Sequence, residues 1–154
     1  MEGELVLGNS IVANNAGPEG TDGPDIHGVV ESADYNLIER LEGATINGQQ
    51  GHHLPAGTDP EIGSLADNGG GTLTHALQAS SPAIDGGTCQ DEHGSAIPAD
   101  QRGRIRPQGE SCDIGSYEYP GPHLLIDKDT ERALVRAGEV ITYSLIVRNL
   151  GDGA

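Results

Sequence analysis

Leu5-Val-Leu-Gly-Asn-Ser-Ile-Val-Ala-Asn-Asn15 reads as a short apolar strand that ends in turn residues. Val, Ile and Leu suit a pleated backbone, and Gly8 and the Asn pair punctuate it. Outward from there, Gly17-Pro18, Asp22-Gly23 and Pro24 mark a loop over 16–25. Ile26 to Glu31 and Tyr35-Asn-Leu-Ile38 give two more short strands. Ile11 and Leu37 stand 26 residues apart, close to one turn of a parallel β-helix with a loop inserted. Stacked turns of that kind need β-branched residues in short strands with Asn at their ends. Asn tolerates the left-handed backbone of a corner, and its side-chain amide can bond the next turn.

Residues 43–71 are rich in turn signals, from Asn47-Gly48 to Asn68-Gly-Gly-Gly71, and predict loop with one short strand. Residues 72–88 predict a strand or helical turn, then a strand running into Asp85-Gly-Gly87. Pro120-Gly-Pro122 makes a stiff break and a domain boundary. Beyond it, Leu124-Leu-Ile126 and Val140 to Val147 read as strands. Ile141, Tyr143, Leu145 and Val147 share one face, which predicts a half-buried antiparallel strand. A sandwich usually needs ~100 residues, so this segment is either an unfinished domain or a strand pair resting on the first one.

The 154 residues include 24 Gly and 9 Pro but neither Phe nor Trp, and hydrophobic residues make up 34%. That composition argues against a large helical core and suits thin, repetitive β structure that buries small aliphatics between neighbours. The formal net charge of −16 repels phosphate backbones and anionic headgroups, which disfavours nucleic-acid and peripheral membrane binding. Met1-Glu-Gly-Glu4 has neither the basic nor the apolar region of an export signal. No apolar run approaches the ~20 residues of a membrane span. Both ends read as cut; if the chain is secreted, its export signal is expected upstream.

Cys89 and Cys112 fit one disulfide in an oxidising compartment. The alternatives are two free thiols or half a zinc site with His93, for which no second close pair exists. Arg102, Arg104 and Arg106 form a basic cluster. Capture of an anionic sugar is one reading. Internal pairing with Asp85, Asp100, Asp113 or Glu118 is the favoured one, because Arg suits bidentate, partly buried contacts. His52-His53 is a poor chelator on a strand, where neighbours point to opposite faces. His75 reads as a packing or hydrogen-bonding residue. The acidic loops Asp22 to Asp25 and Asp85 to Asp91 leave Ca²⁺ binding open without matching a calcium-loop spacing. No carboxylate pair for glycoside hydrolysis can be picked from 24 acids, and Gly69-Gly-Gly71 lacks the Lys-Ser/Thr of a phosphate loop.

At 59–118 the sequence becomes distinctive. Asp59-Pro-Glu-Ile-Gly-Ser-Leu-Ala-Asp-Asn-Gly-Gly-Gly-Thr-Leu-Thr-His-Ala-Leu77, Ser81-Pro-Ala-Ile-Asp-Gly-Gly87, Asp100-Gln-Arg-Gly103, Arg106-Pro107 and Cys112-Asp-Ile-Gly-Ser-Tyr-Glu118 resemble the "choice-of-anchor Q" region. That region ends many bacterial parallel β-helix surface proteins similar to polymorphic outer-membrane proteins. Asn9-Ser-Ile-Val-Ala-Asn-Asn15 and Asp34-Tyr-Asn-Leu-Ile38 look like the final coils before it. One departure is Ser116-Tyr117, where the family usually has a small residue and Phe; Tyr keeps the aromatic role. Ala137-Gly-Glu-Val-Ile-Thr-Tyr-Ser-Leu-Ile-Val-Arg-Asn-Leu-Gly-Asp-Gly153 resembles the opening of the DUF11 Ig-like surface repeat, which implies a β-sandwich truncated to about its first third.

The expectation is an all-β chain in three parts. Residues 1–58 are terminal coils of a right-handed parallel β-helix, 59–120 a loop-rich cap closed by Cys89–Cys112, and 121–154 a linker with a truncated Ig-like segment. Asp85, Asp100, Arg102, Arg106, Asp113 and Glu118 are the polar network of the cap. The resemblance implies a non-enzymatic, adhesin-like, monomeric module of a bacterial cell-surface or extracellular protein, in which the cap shields the edge of the last coil. Its partners would be surface glycans or host or neighbour-cell proteins, with no catalytic residue, no membrane insertion and no cofactor beyond the open Ca²⁺ reading. Two alternatives stand beside it: a piece of a β-helix polysaccharide lyase or glycoside hydrolase, and a Ca²⁺-stabilised surface module.

Overall fold

The computed structural model describes residues 5–17, 24–121, 124–130 and 136–149. Among them the protein is all-β, with nine strands in four small sheets and no helix. The chain divides into two compact units, Met1–Tyr119 and Pro120–Ala154.

The first unit opens with β1 (Val6–Leu7), β2 (Ile11–Val12), β3 (Gly28–Ala33), β4 (Leu37–Ile38) and β5 (Ala44–Gln49). β1, β3 and β5 form one sheet and β2 and β4 a second, and every pairing is parallel. Ile11 lies directly beside Leu37, the pair spaced 26 residues apart in the chain. The next step is shorter: Val30 pairs with Ile46, a spacing of 16, because the loop between β2 and β3 has no counterpart there. Three rungs result. The Leu37 N–H donates to Ser10 O at 2.9 Å and the Glu39 N–H to Val12 O at 3.1 Å. On the third rung the Leu54 N–H reaches Asn36 O at 3.0 Å and the Gly57 N–H reaches Glu39 O at 2.7 Å.

The corners follow from residue chemistry. Asn9, Asp34 and Tyr35 have φ of 46°, 75° and 56°, the left-handed region that a bend between strands requires. Asn36 is fully buried. Its Nδ2 donates to Leu7 O at 2.9 Å and its Oδ1 accepts the Ser10 N–H at 3.0 Å. One amide thus bonds two backbone groups of the preceding rung, one acceptor and one donor.

β5 departs from the loop expected over 43–71, since that segment holds two strands, β5 and β6 (Ile62–Ala66). Asn47-Gly48 reads locally as a turn, but tertiary contacts override it. Asn47 Nδ2 donates to Glu31 Oε1 at 2.8 Å. A Cβ on Gly48 would come within 2.5 Å of Ser32 O, so the close approach demands glycine.

β6 pairs antiparallel with β7 (Thr74–Leu77), with a bulge between Ile62 and Leu65. Thr74–Leu77 is a strand, which settles the strand-or-helical-turn reading of that stretch. Residues 78–119 hold isolated bridges, Gln90 with Ala96 and Ala99 with Ile105. Leu77, Ala83, Ile114 and Tyr117 form one buried cluster with Leu37, and Ile11 and Leu54 pack against it. Strand alternation sends Leu37 and Ile38 to opposite faces. Both are buried, so β4 is covered on one face by the cap. The apolar column Ile11, Leu37 and Leu54, one residue per rung, packs with Leu77, Ala83 and Ile114 along the flank of the rungs. β1 and β5 are the outer strands of their sheet among the described residues.

In the second unit β8 (Leu124–Thr130) pairs antiparallel with β9 (Tyr143–Asn149), from Leu124 beside Asn149 to Thr130 beside Tyr143. The face expected to be half-buried is open: Tyr143 is 47% exposed, Leu145 66% and Val147 60%. Two strands offer no second layer to cover it.

Candidate functional site

The six polar residues predicted for the cap converge on one network. Asp100 is its first node. Its carboxylate accepts the Arg102 Nη2 at 2.7 Å, the Glu118 N–H at 3.0 Å, and the N–H groups of Arg102 and Arg104 at 2.8 and 2.9 Å. Arg102 also donates to Glu118 O, and its guanidinium lies 3.5 Å from the centre of the Tyr117 ring, a cation–π contact. Arg104 contributes its backbone to Asp100 and Arg106 its side chain to Glu118.

Arg106 and Glu118 are the second node, 8% and 1% exposed. Arg106 Nε donates to Glu118 Oε2 at 2.6 Å, and Nη2 donates to Asp113 O at 2.5 Å and Gly115 O at 3.2 Å. Glu118 also accepts the N–H groups of Gln108 and Asp113. Buried charges of this kind persist only when paired and fully bonded. Asp113 links this node to Asp85: its carboxylate accepts the Asp85 N–H at 2.8 Å and the Tyr119 N–H at 2.5 Å, while Asp85 accepts the Ser111 N–H at 2.9 Å.

Cys89 and Cys112 are bonded, with Cα atoms 5.3 Å apart and Cys112 fully buried. That removes the cysteine pair from any zinc set. Among the described residues no group of three or more His, Cys, Asp and Glu lies together as metal ligands. Asp25 is bonded to Arg40 and Asn15, and Asp91 to the turn at His93 and Ser95. Asp22 lies outside the described residues. No helix among them is long and apolar enough to cross a membrane.

A second cluster sits at the corner of the middle and third rungs, and only its histidines had been singled out in the sequence. His52 Nδ1 meets Asp34 Oδ2 at 2.8 Å and its ring stacks on Tyr35 at 4.5 Å. His53 Nε2 lies 2.6 Å from Ser32 Oγ. Ser32 with His53 has the outline of a nucleophile and its base. Ser32 Oγ also lies 2.6 Å from Gln49 O, and Asn36 Nδ2 lies 3.2 Å from both Ser32 Oγ and His53 Nε2, so the His53 tautomer sets which of the two side chains donates to the other. Ser32 and His53 are 21 residues apart, and no local pattern could have joined them.

Beside the first rung lies a cleft of about 880 Å³ between β2, the β6–β7 hairpin and residues 114–117. Ile11, Leu65, Leu73 and Tyr117 supply apolar wall, and Asn14 and Gln101 supply amides. Among the described residues no Asp or Glu lines it. His75 borders it and bonds Gly63 O through Nδ1 at 2.8 Å.

These environments set a pH response. Burial, aided by the Glu118 and Asp85 charges, pushes Asp113 up to about 6 against its two backbone donors. Burial works on Asp100 and Asp34 in the same sense, but the bonds to Glu118, Arg104 and Arg102 in one case and to His52 and Tyr35 in the other outweigh it. Both end below the ordinary 3.8. Burial lowers His53 from 6.5, opposed by Asp34. An acid whose folded value is raised binds its proton more tightly when folded, so Asp113 adds stability as pH falls from about 6 toward 3.8. His53 works in the opposite sense and withdraws stability as pH falls below 6.5. The lowered acids withdraw theirs as pH falls below 3.8. The expected result is that these opposed terms mute the change of urea midpoint between pH 7 and 5, and that it drops steeply below pH ~4. Carboxyl carbon NMR should place Asp113 near 6; a midpoint near 3.8 would mean that its burial is not maintained in solution.

No family model, no curated protein and no solved structure matches the chain.

Proposed function

We propose that this chain is a non-enzymatic structural module of a bacterial cell-surface protein, in which terminal turns of a right-handed parallel β-helix are clamped by a disulfide-bonded cap and followed by the opening strands of an Ig-like module. The carrying observation is that the cleft beside β2 has no carboxylate among the described residues that line it. The cap acids Asp85, Asp100, Asp113 and Glu118 are instead bonded to backbone amides and to Arg102 and Arg106. Glycoside hydrolysis needs two carboxylates flanking the scissile bond, and groups fixed in internal pairs do not supply them. Parallel rungs held by corner amides suit a scaffold that presents a surface to glycans or to proteins of neighbouring cells.

Two assays test the reading together. The purified chain is incubated with uronate and neutral polysaccharides while unsaturated products and reducing ends are followed; the expected result is no turnover above buffer. Intact source cells are treated with a protease that does not enter them, and loss of the chain is followed with an antibody. Turnover abolished by substituting a cleft residue would establish the enzyme alternative. Protection of the chain until cells are lysed would remove it from the surface.

A further inference from the structure

The side chain of Asn9 joins two segments that are remote in sequence. Its Oδ1 accepts the Thr88 N–H at 3.0 Å and its Nδ2 donates to Asp113 O at 3.3 Å. Thr88 precedes Cys89 and Asp113 follows Cys112, so both partners of one amide are chain neighbours of the two bonded cysteines. The Gly87 N–H donates to Cys112 O at 2.8 Å, drawing the same two segments together. The Gly115 N–H then donates to Asn9 O at 3.0 Å. The fit leaves no slack: a Cβ on Gly87 would come within 2.4 Å of Asn9 Oδ1 and 2.5 Å of Asp113 O. Asn9 sits at the corner of the first rung with φ 46°, and the cleft beside β2 has Asn9, Ile11 and Gly115 in its wall.

From this we propose that the Cys89–Cys112 bond is a redox latch: it holds the two halves of an amide clamp on Asn9, and its reduction releases the first rung from the cap and widens the cleft beside β2. The chemistry is ordinary thiol–disulfide exchange with a dithiol as reductant. A thiolate attacks Sγ of Cys89, which is half-buried, whereas Cys112 is fully buried. The protein S–S bond breaks and Cys112 leaves as a thiolate that takes up a proton. The second thiol of the reductant then displaces Cys89, also released as a thiol, and closes the reductant into its own disulfide. Two electrons and two protons pass to the protein. Untied, Gly87–Thr88 and Asp113–Gly115 gain freedom to separate, and the pair of bonds on Asn9 loses its common frame. The parallel pairing of β2 with β4 and the Asp100 and Glu118 network do not depend on that frame.

Amide hydrogen exchange on the whole chain, with and without dithiothreitol, reads the latch directly, because local opening appears as loss of protection confined to the amides involved. On reduction, the amides of Thr88 and Gly115 should exchange roughly tenfold faster or more, while Glu39 (bonded to Val12 O) and Asp100 (bonded to Arg104 O) keep their protection. Asn9→Gly accepts the same positive φ and removes the amide. In the oxidised variant Thr88, whose acceptor is the deleted Oδ1, should already exchange fast, and reduction should add little there, whereas Gly115 keeps the backbone carbonyl of residue 9 as its acceptor. Three outcomes overturn the proposal. Reduction may leave Thr88 and Gly115 unchanged. It may raise exchange at every amide together, as a general cross-link would. Or the increment at Thr88 may be as large in Asn9→Gly as in the parent chain. Should Asn9→Gly fail to fold, the first two comparisons on the parent chain still decide.

Discussion

Arg106→Ala should destabilise the first unit by about 3–5 kcal/mol, because it strands a buried carboxylate. Glu118 is 1% exposed and Arg106 is its cationic partner at 2.6 Å. The same guanidinium bonds Asp113 O and Gly115 O, so truncation also leaves two carbonyls without this donor. A typical domain has about 5–15 kcal/mol in total, so the variant should be near the limit of folding. The measurement is the urea midpoint at constant slope. Arg106→Lys should recover only part of the loss, since an ammonium carries the charge but not the planar fork that reaches three acceptors. A loss for Arg106→Ala under about 1 kcal/mol, the scale of exposed ion pairs, would show that water reaches the pair. Glu118→Gln gives a check from the other side: it leaves the buried guanidinium without its counter-charge and should be costly for the same reason.

Leu37→Ala should cost about 2–5 kcal/mol, the range for emptying a buried leucine site. Leu37 is fully buried and belongs to the cluster with Leu77, Ala83, Ile114 and Tyr117. It is where a rung of the ladder meets the cap, so the cavity opens in the contact that joins 5–58 to 59–119. Leu65→Ala is the control. Leu65 lies in β6 but is 55% exposed, and a surface truncation should stay within about 0.5 kcal/mol. The two leucines have the same chemistry and both sit in strands, so the difference isolates burial. Similar losses at the two positions would mean that the cap does not close over Leu37 in solution.

The reach of sequence reasoning is visible in particular residues. The 26-residue spacing of Ile11 and Leu37 needed nothing but apolar runs and turn residues, and the two residues pair directly. Short strands announce themselves through β-branched runs, and corners through Asn and Asp, because those are backbone preferences carried by each residue alone. The Arg cluster and its acidic partners were legible as a group because, in a chain of net charge −16, each guanidinium has carboxylates within reach. Which carboxylate each takes was not: Asp100 stands two residues from Arg102, but Glu118 reaches Arg106 only because residues 106–118 fold back.

β5 shows the limit from the other side. Asn47-Gly48 reads as a turn by every local rule, yet it lies in a strand because Glu31 and Ser32 on the neighbouring rung accept the amide and require the missing Cβ. The placement of the cap is of the same kind. Nothing along the chain says whether Leu77, Ala83 and Ile114 cover the end of the ladder or its flank. That choice follows from where Ile11, Leu37 and Leu54 align once the rungs stack. Likewise Asn9 was legible as a corner residue, but its clamp on Thr88 and Asp113 joins positions 79 and 104 residues away. By itself the sequence determined the all-β class, the 26-residue spacing of the first two rungs, and the cysteines and ionic residues of the cap, since composition and short-range backbone preference suffice for these. Only the tertiary structure decided partners, burial and the side of the ladder that the cap holds, because those are set by contacts between residues that the chain keeps far apart.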